Sequence, residues 1–491
     1  MFHRSFGEVN KSLLNLDMQL LPYRGISSLN HQELYKFLFR IKENCPQDNF
    51  KQLVSFSQDI DFVDPLIAFD KLAQPNNLNF YWEYKSEQEA FAAFDAVEKI
   101  ETTGSNRFAV VENFIKNCLG KLIIFKSENN KKNNDIYLPR FLCAFSFFHS
   151  QQISFPFPAA TIFLPRWQIT VKAEKCVLTA NLFLSKNSDL DKIIENVYNF
   201  YQKINTLVDK SLKLDLDQGI LKQKYVNGAD KFKNSVESAL TEIYNEKLSK
   251  VVLANALDVS SNIAFNTSKS LNNLREIYPN CYVFCVSNGK GENFIGASPE
   301  RLISIKQKLL ITDALAGSAP RGKTPAEDAA NANSLLSSKK ERREHELVME
   351  FIKQKLLELE LLPQVQAARL LQLSNIQHLW TPITSEVTTN INPLQIVAQL
   401  HPTPAVAGAT TEMACAAIQK YENFPRGLYA APLGWVDGNG NCEFIVAIRS
   451  ALINGEFARL YAGAGIVAGS NPDKEFAEIQ LKLQALLKAL V

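Results

Sequence analysis

No stretch of this chain comes near the roughly 20 consecutive apolar residues that a membrane span requires. Charges and polar groups interrupt the leucines of Met1 to Gly25, so no signal-peptide core is read there. Charge of one sign is also missing. Lys and Arg number 53 against 51 Asp and Glu, which leaves no basic stripe for nucleic acid and no acidic tail. None of the eight cysteines forms a Cys-x-x-Cys pair, so the usual spacing of a zinc or dithiol centre is absent. Buried free thiols are expected instead, Cys281 and Cys285 on one strand face among them. There is no short-period repeat and no long low-complexity tract. No Gly-x-Gly-x-x-Gly opens a helix, which removes the dinucleotide fingerprint. The expected protein is cytoplasmic, with neither a membrane nor a nucleic acid as partner.

What is present is a globular chain of 491 residues with 46% hydrophobic content, enough for one large or two ordinary domains. Residues 1–210 mix helices with aromatic-rich strand candidates such as Asn79-Phe-Tyr-Trp-Glu83, Leu142 to Phe148 and Ala160 to Leu164. The polar run Ser127 to Asp135 reads as an exposed loop. A polar, helical stretch covers Asp189 to Ser249, broken at Asn227-Gly228. The pattern changes at Lys250. Short β-rich runs at Tyr282 to Val286, Leu302 to Ile305 and Leu309 to Thr312 are separated by Gly, Pro and Asn. One long helix is predicted from about Pro325 to Leu361, with Pro363 past its end. Strands are predicted at Glu443 to Leu452 and Ala458 to Ala462, and a last helix from Lys474 to Leu490. Strands and helices in long blocks favour an α+β layered fold. The expected division is an N-terminal α/β region, 1–210, and a catalytic region, 211–491, forming one intimate unit.

Three constellations carry chemistry. Glu341 and Glu344 share a helix face, and Glu475 and Glu478 repeat that spacing in the last helix. Two such pairs would hold a hard divalent cation, and Mg²⁺ would keep waters and room for a carboxylate. The bland alternative is surface glutamates paired with Arg342, Arg343 or Lys474, in a mixed-sign run that reads as a solvated face. The second constellation is anionic recognition. Small-residue turns are expected at Ala314 to Ser318 and Tyr461 to Val467, whose glycines let backbone N–H groups approach an oxyanion. Arg449 adds a bidentate clamp for a carboxylate. The third is an acid and a base on facing strands. Lys250 opens an apolar strand, where burial favours the neutral amine a base needs. Glu300 follows Pro299 at a turn and is expected to stay protonated. Singly, each also fits a surface lysine or a salt-bridged glutamate. His401 sits in the loop Leu400-His-Pro-Thr-Pro404, where a turn histidine is the plain alternative.

Read in order, these segments resemble the chorismate-utilising enzyme family, and within it the isochorismate synthases. The likeness runs through Lys250-Val-Val-Leu-Ala254, Phe294 to Leu302, Thr312 to Gly322, Glu341 to Val348, Leu400 to Gly408, Arg426 to Ala430, Ala447 to Arg449, Tyr461 to Val467 and Ser470 to Lys482. The N-terminal half matches only at Phe80-Tyr-Trp82 and Leu164-Pro-Arg-Trp167. The resemblance implies the fold of chorismate-binding enzymes of the anthranilate synthase component I type, with two layered α/β halves around one active site. It implies a Mg²⁺-dependent conversion of chorismate to isochorismate. Lys250 resembles the base that activates water for attack at C2, and Glu300 the acid that protonates the departing C4 hydroxyl. Glu344 and Glu478 resemble the metal ligands, supported by Glu341 and Glu475. Gly317, Tyr429, Arg449, Gly465 and Lys482 resemble the residues that hold the substrate carboxylates, and His401 the histidine lining the ring pocket.

Ammonia-using relatives carry Gln where Lys250 stands. The relatives that use a covalent lysine carry it where Ala316 stands, in a Pro-Ile-Lys-Gly-Thr segment. Both differences favour water as nucleophile, and no glutaminase subunit is expected. Salicylate synthases, which also eliminate pyruvate, lack the His-Pro-Thr-Pro loop. They remain the alternative, beside a non-catalytic chorismate-binding protein. Menaquinone and siderophore biosynthesis are both open as the destination of the product. Three departures from the family pattern are Asn255 for an arginine, Ser318 for a threonine and Ala431 for a glycine. Asn255 loses a charge and is expected to alter strand packing or pocket polarity.

Overall fold

The computed structural model describes residues 21–23, 31–46, 50–127, 135–150, 155–208, 210–212, 219–387 and 391–490. Most of the expected loop between Ser127 and Asp135, and nearly all of Met1 to Gly25, lie outside the described residues. Among the described residues, 21 strands form one hydrogen-bonded network, flanked by helices. The network crosses the expected division of the chain. Strand Leu78–Tyr84 pairs antiparallel with Tyr282–Asn288, and Arg140–Phe145 with Pro432–Asp437. A single hydrophobic cluster accordingly draws Phe80, Trp82 and Phe163 together with Phe284, Ile445 and Leu460. No described helix is long and apolar enough to cross a membrane.

Strand Lys250–Ser261 lies inside this core. It pairs along its length with Phe457–Val467, from Lys250↔Val467 to Ser260↔Phe457, and at its far end with Leu221–Tyr225. That second partner replaces part of the helix expected between Asp189 and Ser249. Among the described residues, the helices there are Leu190–Asn205 and Ala229–Tyr244. Strand Lys250–Ser261 is buried on both faces, so its sequence reads as a nearly unbroken apolar run. Lys250 and Asn255 are the polar residues of its buried part, and both are fully buried.

The long helix predicted from Pro325 to Leu361 is two helices, Pro325–Ser337 and Lys339–Glu358. Ser338 takes an extended ψ of 117° and caps the second helix by accepting the Glu341 N–H. A serine side chain competes well for such an orphan N–H and so favours a cap over a helix interior. The strand predicted from Glu443 to Leu452 is also divided, into Cys442–Val446 and Ser450–Asn454. The cause is a change of partner. Cys442–Val446 pairs with Arg301–Lys306, whereas Ser450–Asn454 pairs with Asn293–Ser298. The two breaks, at Pro299-Glu300 and Ala447–Arg449, lie side by side. Val446 N–H donates to Glu300 O, and Ala297 N–H to Arg449 O. Arg449 turns there with φ of 51°.

Candidate functional site

This split in the sheet opens a cavity of about 100 Å³, walled by Glu300, Gly317, Tyr429 and Arg449 and by two helices carrying Glu344 and Glu478. A larger concavity of about 490 Å³, near Lys71, Trp167 and Lys203, holds none of the candidate catalytic, substrate-binding or metal residues. Volume alone does not mark a site; convergent polar groups with perturbed ionisation do.

Glu300 is buried against the cavity, and its carboxyl makes no protein hydrogen bond among the described residues. Burial pushes its pKa up to about 8; the nearby Asp313 adds to the rise, while Lys250 and Lys482 oppose it. A carboxyl in this state carries its proton at neutral pH. The expectation of acid and base on facing strands needs correction. From the Lys250 strand, the sheet passes through Phe457–Val467 and Ser450–Asn454 before reaching Asn293–Ser298, which leads into Glu300. Two strands therefore separate the Lys250 strand from the one that leads into Glu300.

Lys250 is fully buried just behind the wall, with Nζ 2.9 Å from Glu344 Oε1. That contact is an ion pair without hydrogen-bond geometry, so Nζ keeps its donors unspent. Gly465 makes the contact possible. A Cβ at that position would fall 2.5 Å from Glu344 Oε1 and 3.4 Å from Lys250 Cε. The segments expected as small-residue turns are strands. Tyr461 to Val467 belongs to Phe457–Val467, and Ala314 to Ser318 to Leu309–Pro320. Gly317 forms a bulge there, with φ of 78° and a register shift between Ala316 and Ser318.

All four helix glutamates line the cavity. Glu341 accepts the Ser318 N–H at 3.1 Å, and Glu478 pairs with Lys482 at 2.7 Å. Lys340 Nζ lies 3.1 Å from Glu475. Burial raises the pKa of Glu341, and the charge of Glu344 adds to it; burial does the same at Glu475, helped by Glu478. The mixed-sign run that read as a solvated face is thus divided. Arg342 and Arg343 are exposed, whereas Lys340, Glu341 and Glu344 face the cavity. Among the described residues, the carboxylate trio that brings one oxygen each within 4.8 Å of the others is Glu87, Glu89 and Glu443, outside this cavity. That trio is already neutralised by Arg140, Lys172 and Lys306. The cavity glutamates are looser, and each has a lysine within ion-pair distance. An all-oxygen donor set of half-buried and buried carboxylates around one cavity fits a hard cation that retains waters.

Arg449 has no carboxylate partner among the described residues. Its Nη1 is buried without a hydrogen bond. Lys482 Nζ donates to Gly463 O at 2.9 Å, and the Tyr429 ring stacks on Tyr461. His401 does not line the cavity. The residue is half-buried, bonded through Nε2 to Phe147 O at 3.0 Å, and desolvation lowers its pKa to about 3. The histidine that does line the cavity is His378, which sequence reasoning missed. Its Nε2 lies 3.1 Å from Arg449 Nη2, and its Nδ1 lies 3.0 Å from Ser318 Oγ and 3.3 Å from Gly317 O. Arginine can only donate, so Nε2 accepts and Nδ1 carries the proton. Its signal was the polar pair Gln377-His378 set between the apolar Ile376 and Leu379 of one strand.

Asn255, the departure that loses a charge, does not line the cavity. Its amide donates to Asn227 O at 2.8 Å and accepts from Asn227 N–H at 3.2 Å, tying the strand to the turn before helix Ala229–Tyr244. The change is one of packing, not of pocket polarity.

A family model described as "Chorismate binding enzyme" matches residues 40–491. Isochorismate synthase MenF of Bacillus subtilis (strain 168) is 31% identical over 456 residues, covering 90% of this chain and 94% of that protein. The salicylate biosynthesis isochorismate synthase of Pseudomonas aeruginosa is 39% identical over 256 residues, 52% of this chain and 53% of that protein. The solved structure of MenF, the menaquinone-specific isochorismate synthase from Escherichia coli, has a TM-score of 0.74 and 26% identity, over 94% of this chain and 99% of that one.

Proposed function

The chain belongs to the chorismate-binding enzyme family, and from that membership we propose that its buried acid and base act as an isochorismate synthase. The observation that carries this reading is Glu300, protonated at neutral pH, lining one cavity with four carboxylates and with Arg449, while Lys250 lies buried just behind the wall against Glu344.

The reaction is an isomerisation. Water adds to C2 of chorismate, the ring double bonds shift, and the C4 hydroxyl leaves as water. Lys250 takes a proton from the attacking water, and Glu300 gives one to the departing hydroxyl. No covalent intermediate is needed, because two groups of opposite protonation state supply both transfers. Arg449 and Lys482 hold the substrate carboxylates, with Tyr429 and the backbones at Gly317 and Gly465 completing the cradle. His378 keeps the Arg449 guanidinium oriented.

Metal dependence is general in this family. We assign Mg²⁺ to Glu344 and Glu478, with Glu341 and Glu475 in support. When bound, it would orient and polarise the ring carboxylate. Residues 1–210 and 211–491 are read as one working unit, since strands from both build the sheet. The eight cysteines, all free and seven of them buried, support a cytoplasmic setting. No glutaminase subunit is invoked, because the nucleophile is water.

The test is product analysis. Purified protein is incubated with chorismate and Mg²⁺, and the products are resolved by chromatography. Isochorismate alone is expected. Salicylate with pyruvate would assign a salicylate synthase, and binding without turnover a non-catalytic protein. Lys250→Ala should lower kcat by about two orders of magnitude or more; near-normal turnover would remove the lysine from its role.

A further inference from the structure

Lys340 precedes Glu341 in the helix Lys339–Glu358 and lines the same cavity as the four glutamates. Its Nζ lies 3.1 Å from Glu475 Oε1 and 3.5 Å from Glu341 Oε1. One ammonium thus bridges the two helices that carry the acidic pairs. The Glu475 side chain is only 4% exposed, and Lys340 is its only ion-pair partner among the described residues. Lys250 and Lys482 stand in similar contact with Glu344 and Glu478, but both have further partners or duties around the substrate. Lys340 has no ion pair outside Glu341 and Glu475 among the described residues.

We propose that Lys340 is a resident counter-ion that competes with the divalent cation for Glu341 and Glu475 and so sets the metal affinity of the site. The inference rests on the metal assignment above. Its physical basis is electrostatic. Four carboxylates converging on one small cavity repel one another unless positive charge lies among them. A lysine suits that task when the charge must later give way. It is a compact, strongly hydrated charge on a flexible stem. The Lys340 side chain is 34% exposed, so its ammonium can swing into water as a cation takes its place. The fixed cost of that displacement lowers metal affinity, and it spares the apo protein an uncompensated acidic cluster.

Calorimetric titration with MgCl₂ alone, without substrate, tests this. Wild type, Lys340→Met, Lys340→Arg and Glu478→Gln are compared. Lys340→Met should tighten Mg²⁺ binding by about tenfold or more, because one positive charge is removed beside a divalent one. Lys340→Arg should stay near wild type, and Glu478→Gln should lose binding. Without metal, Lys340→Met should melt below wild type, and saturating Mg²⁺ should close the gap. An inert structural bridge would lower the melting temperature equally with and without Mg²⁺ and leave the affinity unchanged. That result, with Glu478→Gln still abolishing binding, would overturn the role of Lys340 alone. A wild-type protein that binds no Mg²⁺ would overturn the metal assignment with it.

Discussion

Glu300 makes a prediction whose size comes directly from its surroundings. Its pKa of about 8 is set first by burial, then by Asp313, against the opposing charges of Lys250 and Lys482. At pH 7 such a group is roughly nine-tenths protonated, whereas at its ordinary value of 4.5 only about three in a thousand would be. Burial thus supplies the acid form about 300-fold more often at neutral pH. The kcat/KM profile of wild type should be flat below pH 8 on this limb and fall tenfold per unit above it. Glu300→Gln should lose about two orders of magnitude or more, and its residual activity should lack that limb. Asp313→Asn should move the limb to lower pH, since it removes a charge that holds the proton on Glu300. The sign for stability follows from the same raised value. The folded state keeps a proton that the unfolded state releases, so this group costs stability progressively as pH rises from about 4.5 to about 8. At pH 7 the cost is about 3 kcal/mol. Glu300→Gln should therefore unfold at higher denaturant than wild type at pH 7.5, and the gap should shrink towards pH 5. A wild-type profile flat to pH 9, or a limb that persists unchanged in Glu300→Gln, would refute the assignment.

Other outcomes follow from single contacts. Glu478→Gln should abolish Mg²⁺-dependent turnover; an unchanged Mg²⁺ titration would reject that ligand. Gly465→Ala should cost most of the activity with little change in melting temperature, because its Cβ displaces only the flexible end of Glu344; wild-type activity would show that the Glu344 contact with Lys250 is dispensable. Asn255→Ala should lose about 1–3 kcal/mol of stability by orphaning the buried backbone of Asn227, with KM for chorismate unchanged. A raised KM at normal stability would place Asn255 in substrate recognition after all.

Much of this site was legible because chemistry-bearing residues interrupt patterns. A lysine opening a buried apolar strand is costly, and so is a glutamate between two apolar strands; both stand out without coordinates. Helical spacing likewise put Glu341 with Glu344 and Glu475 with Glu478. What could not be read were relations set by register. The partner change that divides Cys442–Val446 from Ser450–Asn454 depends on which strands lie alongside, and an apolar run carries no record of that. His401 attracted attention through its proline-rich loop, yet its ring is spent on a backbone carbonyl. His378 lay unremarked in a strand, although alternation alone puts one of any two adjacent residues on the cavity face. Ser338 shows a third limit. A break between two helices is a local competition for one N–H, and a continuous apolar stripe does not reveal it.

The charges around the cavity explain why the proposed acid, base and carboxylate clamps would occur together. Glu341, Glu344, Glu475 and Glu478 face Lys250, Lys340, Lys482 and Arg449, four of each sign, while Glu300 is held neutral. Chorismate brings two negative charges and the proposed cation two positive ones. Either alone would leave a buried site with an uncompensated double charge, which is expensive at low dielectric. Together they restore the balance, so each should favour the binding of the other, and by linkage the favour is mutual. An ionised Glu300 would break that balance in the loaded site. The burial that keeps Glu300 protonated therefore also makes the closed, charged complex tolerable.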